Sequence, residues 1–249
     1  MWKFIRIMQL CFWTIVTFLF THNLNAKDGK LLDWSATNIQ LLQGNHYKIG
    51  DETRTIATFE HANGWKYGDF FIFADQIWQD DGQYSYYVEP TLRFSLSKIF
   101  DRDLSYRLLR DVLIATHIEK AKGNKSTKLN GVAFDFNLPG FNFFKTHAFL
   151  RDNPNLSGST YQITFAWNSS FKIKNVNFLI EGFADFAGGE DDKRSNQLIV
   201  PRFLIDVGQI IKIKENKLWA GIEWQYWHNK LGLDGVTESV PQLQLKYVF

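Results

Sequence analysis

The last eleven residues of the chain, Ser239 to Phe249, alternate between apolar and polar side chains. In an extended strand this period of two puts the two kinds of side chain on opposite faces. One face carries Leu243, Leu245, Tyr247 and Phe249, and the other carries Gln242, Gln244 and Lys246. A strand of this kind must cover its apolar face, either with a protein core or with lipid. The rest of the sequence has to distinguish a soluble sheet from a membrane-spanning one.

The first 26 residues have the pattern of a secretory signal peptide. Lys3 and Arg6 form a positively charged start, and the apolar stretch from Leu10 to Phe20 follows. That stretch is too short for a membrane-spanning helix, which needs about 20 residues. We expect cleavage after Ala26, although Leu24 is larger than the residue usual at its position. The mature protein would then be a single domain of residues 27–249.

The composition of the mature chain restricts the classes of protein that it can belong to. Cys11, the only cysteine, lies inside the predicted signal peptide, so the mature chain would have no disulfide and no thiolate metal ligand. Over the whole chain, basic and acidic residues nearly balance, at 28 and 26, which argues against a nucleic-acid partner. No later window is apolar enough for a transmembrane helix, so strands must do any spanning. We predict no cofactor.

Twelve segments follow the period of two that is typical of half-buried strands. The clearest cover residues 88–97, 160–168, 177–186, 218–226 and 239–249. Weaker segments cover residues 34–42, 53–61, 68–78, 108–119, 128–137, 141–150 and 197–207. Because every backbone polar group in lipid must find a partner, strands that cross a membrane have to close into a barrel.

The connections between these segments alternate between long and short, as in barrels with long outer loops and tight periplasmic turns. Long polar links cover residues 43–52, 79–83, 120–127, 151–158, 188–194 and 229–238. Short turns are predicted at residues 62–64, 138–140, 173–175 and 212–216. The charged link 98–107 is long where a short turn is expected, and we predict a small periplasmic helix there. An even number of strands would place both termini in the periplasm.

A soluble secreted sandwich is the alternative fold, since its strands would alternate too. Aromatic residues at the strand ends favour the membrane, where they form girdles at the two interfaces. They are Trp34, Trp78, Trp167, Phe171, Phe186, Trp224, Tyr226 and Phe249. A final strand that ends in Phe also resembles the assembly signal of bacterial outer-membrane proteins. The sequence therefore predicts an all-β, transmembrane, antiparallel up-and-down β-barrel in a Gram-negative outer membrane, surrounded by lipid and lipopolysaccharide.

Several short segments, in order and spacing, resemble the nucleoside-specific channel family usually called Tsx. They are LDW at Leu32–Trp34, DFFIFAD at Asp69–Asp75 after Trp65 and Lys66, EPTLRFSLSK at Glu89–Lys98, DLS at Asp103–Ser105, LP at Leu138–Pro139 and the terminal aromatic residue. The resemblance runs along nearly the whole mature chain and is densest between residues 53 and 105. It implies a narrow barrel that passes nucleosides by facilitated diffusion, and several members also serve as phage or colicin receptors. The loops are shorter here than in the best-known members.

One predicted strand offers a binding surface for a nucleoside, which has a flat base and a polar sugar. If Phe70 and its alternate neighbours face lipid, then four residues face the pore: Asp69, Phe71, Phe73 and Asp75. Aromatic faces can stack on the base and polar groups can bind the sugar. With the opposite parity, the two rings would face lipid.

The neighbouring strands add polar candidates for the solute path. Tyr87, Glu89 and Arg93 share one face of their strand, and Arg54 and Glu60 share one face of another. The alternative is a structural ion-pair network that braces the lumen. Further inward candidates, most of which we expect to pair with one another, are His117, Glu119, Asp135, Lys145, His147, Glu181, Asp185, Arg202, Asp206, Glu223 and Lys246. Strand spacing does not by itself bring His117 and His147 together, so we predict no metal site.

We expect a channel rather than an enzyme. An outer-membrane lipid hydrolase would need a serine, a histidine and an acid in one place. The sequence has no GxSxG motif, and no His-x-Ser pair lies on a predicted strand. A non-selective small-solute porin and a phage or colicin receptor barrel without an open pore remain alternatives to the nucleoside channel.

Overall fold

Twelve antiparallel strands close into a barrel in the computed structural model, which describes residues 32–79 and 82–249. Each strand pairs with its neighbours in the chain, and the last pairs with the first. The strands are β1 (Leu32–Gly44), β2 (Arg54–Trp65), β3 (Gly68–Gln79), β4 (Tyr84–Ser95), β5 (Leu109–Ala121), β6 (Thr127–Phe136), β7 (Phe143–Asp152), β8 (Thr160–Ile173), β9 (Val176–Ala187), β10 (Asn196–Asp206), β11 (Leu218–His228) and β12 (Glu238–Val248). All twelve predicted segments overlap these strands. The predicted signal peptide lies outside the described residues.

Exposure along β12 is the reverse of what a soluble sheet shows. Leu243 is 70% exposed and Leu245 is 45% exposed, whereas Gln242 and Gln244 are almost completely buried. The polar side chains therefore point into the barrel and the apolar ones point outward. Because an apolar outer face around a polar interior requires lipid outside, the fold is that of a transmembrane β-barrel of the outer membrane.

The same alternation continues around the wall, where exposed apolar side chains recur on the outer face of strand after strand. Examples are Ile39, Ile114, Val132, Leu150, Tyr161, Phe203 and Ile222. Several predicted girdle residues are also exposed, among them Trp34, Trp78, Phe171, Trp224 and Phe249. The outer surface is therefore apolar around the ring, and an edge strand is absent among the described residues because β1 and β12 pair.

One end of the barrel, which we call the terminal end, holds the start of β1, the end of β12 and the shortest turns. Residues 66–67 join β2 to β3 and residues 174–175 join β8 to β9. The predicted turn at residues 62–64 is wrong, because β2 continues to Trp65, which pairs with Gly68. Gly64 is not a turn residue. A Cβ there would lie 2.2 Å from Nε1 of Trp34, so glycine makes room for this indole.

Two short helices also lie at the terminal end. Helix α1 (Leu96–Phe100) overlaps the link in which the sequence predicted one, and Ser95 Oγ caps it by accepting a hydrogen bond from the Lys98 backbone N–H. Helix α2 (Val207–Ile210) lies between the predicted strand 197–207 and the predicted turn 212–216, and no helix was predicted there. Buried Asp206 accepts hydrogen bonds from the backbone N–H groups of Gln209 and Asn216, at 3.0 and 2.6 Å, and these hold the longer link. No helix in the described part of the chain is long and apolar enough to cross a bilayer.

The opposite end, which we call the loop end, carries the links after β1, β3, β5, β7, β9 and β11. The link after β11 contains a short 3-10 helix (Lys230–Gly232). These links match the predicted long polar segments, so the alternation between loops and turns holds except at the two helical links of the terminal end.

Candidate functional site in the bore

The bore contains a group of ion pairs, here called the crossbar cluster, that reaches across several strands. Arg202 on β10 donates from Nη1 to Glu60 Oε1 at 2.8 Å and from Nε to Glu223 Oε2 at 2.6 Å. Glu60 lies on β2, and three strands separate β2 from β10 in the barrel wall. The guanidinium therefore bridges the bore instead of joining neighbours in the wall. Lys246 and Glu181 complete the cluster with an ion pair at 2.5 Å.

A second group, the β4 cluster, surrounds Arg93 with two carboxylates. Its Nε lies 2.7 Å from Asp69 Oδ1, and its Nη1 lies 2.6 Å from Asp135 Oδ1. Lys145 Nζ is 3.9 Å from Asp69. Only 3% of the Arg93 side chain is exposed. Because its donors already have partners inside the protein, Arg93 braces the wall and offers little to a solute.

Three aromatic rings form a continuous contact on the inner side of β3 and β4, and we call them the aromatic wall. The ring centroids of Phe71 and Phe73 are 6.4 Å apart, and those of Phe73 and Tyr87 are 6.0 Å apart. Phe71 is 37% exposed, and it shares its face of β3 with Asp69, which points into the bore. The Tyr87 hydroxyl donates to Glu89 Oε1. The bore thus presents aromatic faces next to a carboxylate.

The first loop, residues 45–53, inserts a tyrosine into the bore from the loop end, a feature that the sequence analysis missed. Tyr47 is 3% exposed, and its hydroxyl donates to Gln242 Oε1 at 2.5 Å. Gln242 Nε2 donates in turn to Glu223 of the crossbar cluster at 2.9 Å. Arg54 lies over the Tyr47 ring, 4.3 Å from its centroid. Burial raises the pKa of the Tyr47 hydroxyl, so the group stays protonated and donates.

We predict that Tyr47→Phe destabilises the barrel by about 1–3 kcal/mol, because it leaves the buried Gln242 oxygen without its donor. The measurement is urea-induced unfolding in detergent micelles. Tyr161→Phe is the matched control, since Tyr161 is 60% exposed on the outer face and should tolerate the change. Equal losses in the two variants would contradict an anchoring role for the Tyr47 hydroxyl.

All nine residues predicted to line the solute path lie on the inward-facing side of their strands, so the inward parity of β3 is the one observed. Phe71, Phe73, Tyr87 and Glu89 lie together at the aromatic wall. The others have structural partners: Asp69 and Arg93 in the β4 cluster, Glu60 in the crossbar cluster, Asp75 with Thr58 at 2.6 Å, and Arg54 with the Asp51 carbonyl at 3.2 Å. The ion-pair network that the sequence left as an alternative thus includes Asp69, Arg93 and Glu60, and Glu89 joins it when His117 is protonated. Contact with a solute stays a prediction for all of them.

Most of the additional inward candidates form the expected pairs. The exceptions are Asp206, which caps α2, and His147 and Asp185, which form no ion pair with a described residue. Arg151 also forms an ion pair in the bore, but it was not among the predicted inward residues. It pairs with Glu119 across β6. The period of two along β7 could have identified Arg151, since it shares a face with Lys145 and His147. Tyr47 had no such signal, because a loop residue has no side-chain periodicity.

No protein-family model matches the chain, and no curated protein matches it. Matching solved structures include the Acinetobacter baumannii outer membrane protein Omp33, at 10% identity and a TM-score of 0.39, covering 89% of this chain and 100% of that one. The translocator domain of the autotransporter NalP from Neisseria meningitidis matches at 12% identity and a TM-score of 0.35, covering 98% of this chain and 96% of that one. Likenesses at this level carry no argument about solute or mechanism. The Tsx resemblance therefore stays a prediction.

Proposed function

We propose that the protein is a passive outer-membrane channel for small polar solutes that carry a flat ring, with nucleosides as the class that the Tsx resemblance implies. The aromatic wall is the observation that supports this proposal. An exposed Phe71 ring in a bore otherwise lined by ion pairs offers a stacking face, and stacking contributes about 1–3 kcal/mol per base. Such weak binding suits a channel, because tight binding would prevent release.

Polar groups beside the aromatic wall could bind the sugar of a nucleoside. Thr91 lies opposite Phe71 and Glu89 lies opposite Phe73 in the β3–β4 ladder, so each ring has a hydrogen-bonding neighbour on the inner face. A neutral solute needs no field of a single sign, and the neighbouring β4 cluster carries both signs. These features favour a neutral aromatic solute over a strongly charged one.

The test of this proposal is the double variant Phe71→Ala/Phe73→Ala. In planar bilayers, millimolar nucleoside should reduce the ion current through the wild-type protein and not through this variant, because the stacking faces are gone. Phe178→Ala/Phe203→Ala is the matched control, since both of these rings lie on the outer wall. Block that persists in the inner-wall variant would contradict the proposed site.

Solute selectivity needs a separate measurement. Liposome swelling with a panel of nucleosides, sugars and amino acids distinguishes the nucleoside channel from a non-selective porin. The specific proposal requires faster swelling with nucleosides than with sugars of similar size. Equal rates would leave a non-selective small-solute channel.

A receptor barrel without an open pore is the second candidate function. The crossbar cluster and Tyr47 favour it, because together they fill part of the bore from the loop end inward. The charged loops would then present a binding surface to a phage or a colicin. An absence of ion current from folded wild-type protein would favour this candidate. We propose no catalytic activity, and phospholipid hydrolysis by the purified protein would contradict that.

A further inference from the structure

Three side chains of the types that bind metal ions converge in the bore. Glu89 on β4 and His117 and Glu119 on β5 each place one ligand atom so that all three atoms lie within 4.8 Å of one another. His117 Nε2 is 3.4 Å from Glu89 Oε2. The strand pairing brings them together. Thr91, two residues from Glu89 and on the same face of β4, lies opposite His117 in the β4–β5 ladder.

Each of these three side chains is held by a partner at its other polar atom. Tyr87 donates to Glu89 Oε1, Arg151 donates to Glu119 Oε1, and Thr91 Oγ1 lies 2.7 Å from His117 Nδ1. If Nδ1 donates to the Thr91 hydroxyl, Nε2 carries a free lone pair. Metal ligands in proteins are oriented in this way by outer partners, which fix the tautomer and the direction of each ligand.

The charge around this group is unbalanced. Asp185 accepts hydrogen bonds from Thr164 and Gln162 and forms no ion pair with a described residue. It lies within electrostatic range of Glu89 and Glu119. With a neutral His117, Glu89 and Glu119 face one cation, Arg151, so the group has an excess of negative charge when both are ionised. A divalent cation would balance that excess.

A second imidazole lies beyond Phe149 from His117. His147 stacks on Phe149 with ring centroids 5.3 Å apart, and Phe149 also contacts His117 at 5.9 Å. His147 is 8% exposed, yet neither of its ring nitrogens has a hydrogen-bond partner among the described residues. Buried polar atoms are rarely left without a partner. The bore therefore holds a further ligand-type side chain with no assigned role, separated from His117 by the Phe149 ring.

From these contacts we propose that Glu89, His117 and Glu119 form a binding site for a divalent transition-metal cation, with Zn²⁺ as the closest fit. One imidazole nitrogen and two carboxylate oxygens suit Zn²⁺, Mn²⁺ or Co²⁺ better than Ca²⁺, which prefers oxygen alone. Ligand bonds of about 2.0–2.1 Å place tetrahedral ligand atoms about 3.3 Å apart, close to the 3.4 Å between Nε2 and Glu89 Oε2. Three protein ligands leave the fourth position to water or to a solute. Binding at this site does not require an open pore, so the proposal goes beyond the channel function.

The test is direct binding of Zn²⁺ and Co²⁺ to the purified, chelator-treated full-length protein in detergent. Isothermal titration calorimetry with Zn²⁺ should give one equivalent per chain, and Co²⁺ should give the visible absorption bands of a site with one nitrogen ligand. His117→Gln and Glu119→Gln should each weaken Zn²⁺ binding by about tenfold or more, since each removes a ligand. Glu89→Gln serves as a third ligand variant if either of these fails to fold, which heat-modifiable gel mobility detects.

His61→Gln is the matched control. His61 lies on β2 outside this group and is held by Thr37 and Asn63, so its loss should leave the affinity for Zn²⁺ unchanged. The proposal is overturned if the wild-type protein binds no Zn²⁺. It is equally overturned if the ligand variants bind Zn²⁺ as tightly as the wild type, or if the control alone weakens binding.

Discussion

Arg202→Ala should raise the single-channel conductance several-fold and reduce the free energy of unfolding by about 3–5 kcal/mol, the usual cost of removing one partner of a buried ion pair. Arg202 contacts Glu60, Glu181 and Glu223, and 12% of its side chain is exposed. Alanine removes the side chain that bridges β10 and β2, which widens the bore. It also leaves three carboxylates facing one another with Lys246 as the remaining cation of the cluster.

Planar-bilayer conductance and urea unfolding in micelles measure the two effects of Arg202→Ala separately. The matched control is Arg194→Ala, because Arg194 and Asp234 form an exposed loop pair at 3.6 Å that should contribute less than about 1 kcal/mol. If the conductance of the Arg202 variant equals that of the wild type, then Arg202 does not limit the pore. If its stability is also unchanged, the crossbar cluster is not a structural element.

Leu243→Arg should destabilise the barrel by about 2–4 kcal/mol in lipid vesicles, the cost of an arginine on the lipid face near the bilayer midplane. Leu243 is 70% exposed on the outer face at the middle of β12. If the outer face contacts water instead, the same substitution should be close to neutral. The measurement is the urea dependence of folding into vesicles, followed by the gel mobility of the folded form.

Leu231→Arg is the control for that experiment. Leu231 is 55% exposed, like Leu243 it is apolar, and it lies in the 3-10 helix of the loop end rather than in a strand. A charge there should cost about 0–1 kcal/mol, since it stays near the interface or in water. Equal effects of the two substitutions would contradict the transmembrane placement of β12.

The wall of the barrel could be predicted from sequence because its pattern is local. Alternation along one strand depends only on the backbone geometry of that strand, so the outward set of β12 follows from eleven residues without knowledge of any partner. The inward parity of Phe71 and Phe73 follows from the same rule once one neighbour on β3 is known to face lipid. The predictions of strand ends were weaker. Gly64 is of a residue type common in turns, but it lies within β2 and makes room for Trp34. Asp206 ends β10 and is the N-cap of α2.

The contents of the bore depend on tertiary structure. Arg202 meets Glu60 across 142 positions of the chain, and Tyr47 meets Gln242 across 195. Neither contact can be predicted from nearby residues in the sequence. Each contact depends on the register of the strand pairs between the two residues and on the pairing of β1 with β12. The convergence of Glu89 and His117 likewise depends on the β4–β5 register, since a shift of one residue would turn His117 to the lipid face. The sequence by itself thus determined that a wall with a polar inner face forms, and only the closed barrel decided which inward side chains contact one another.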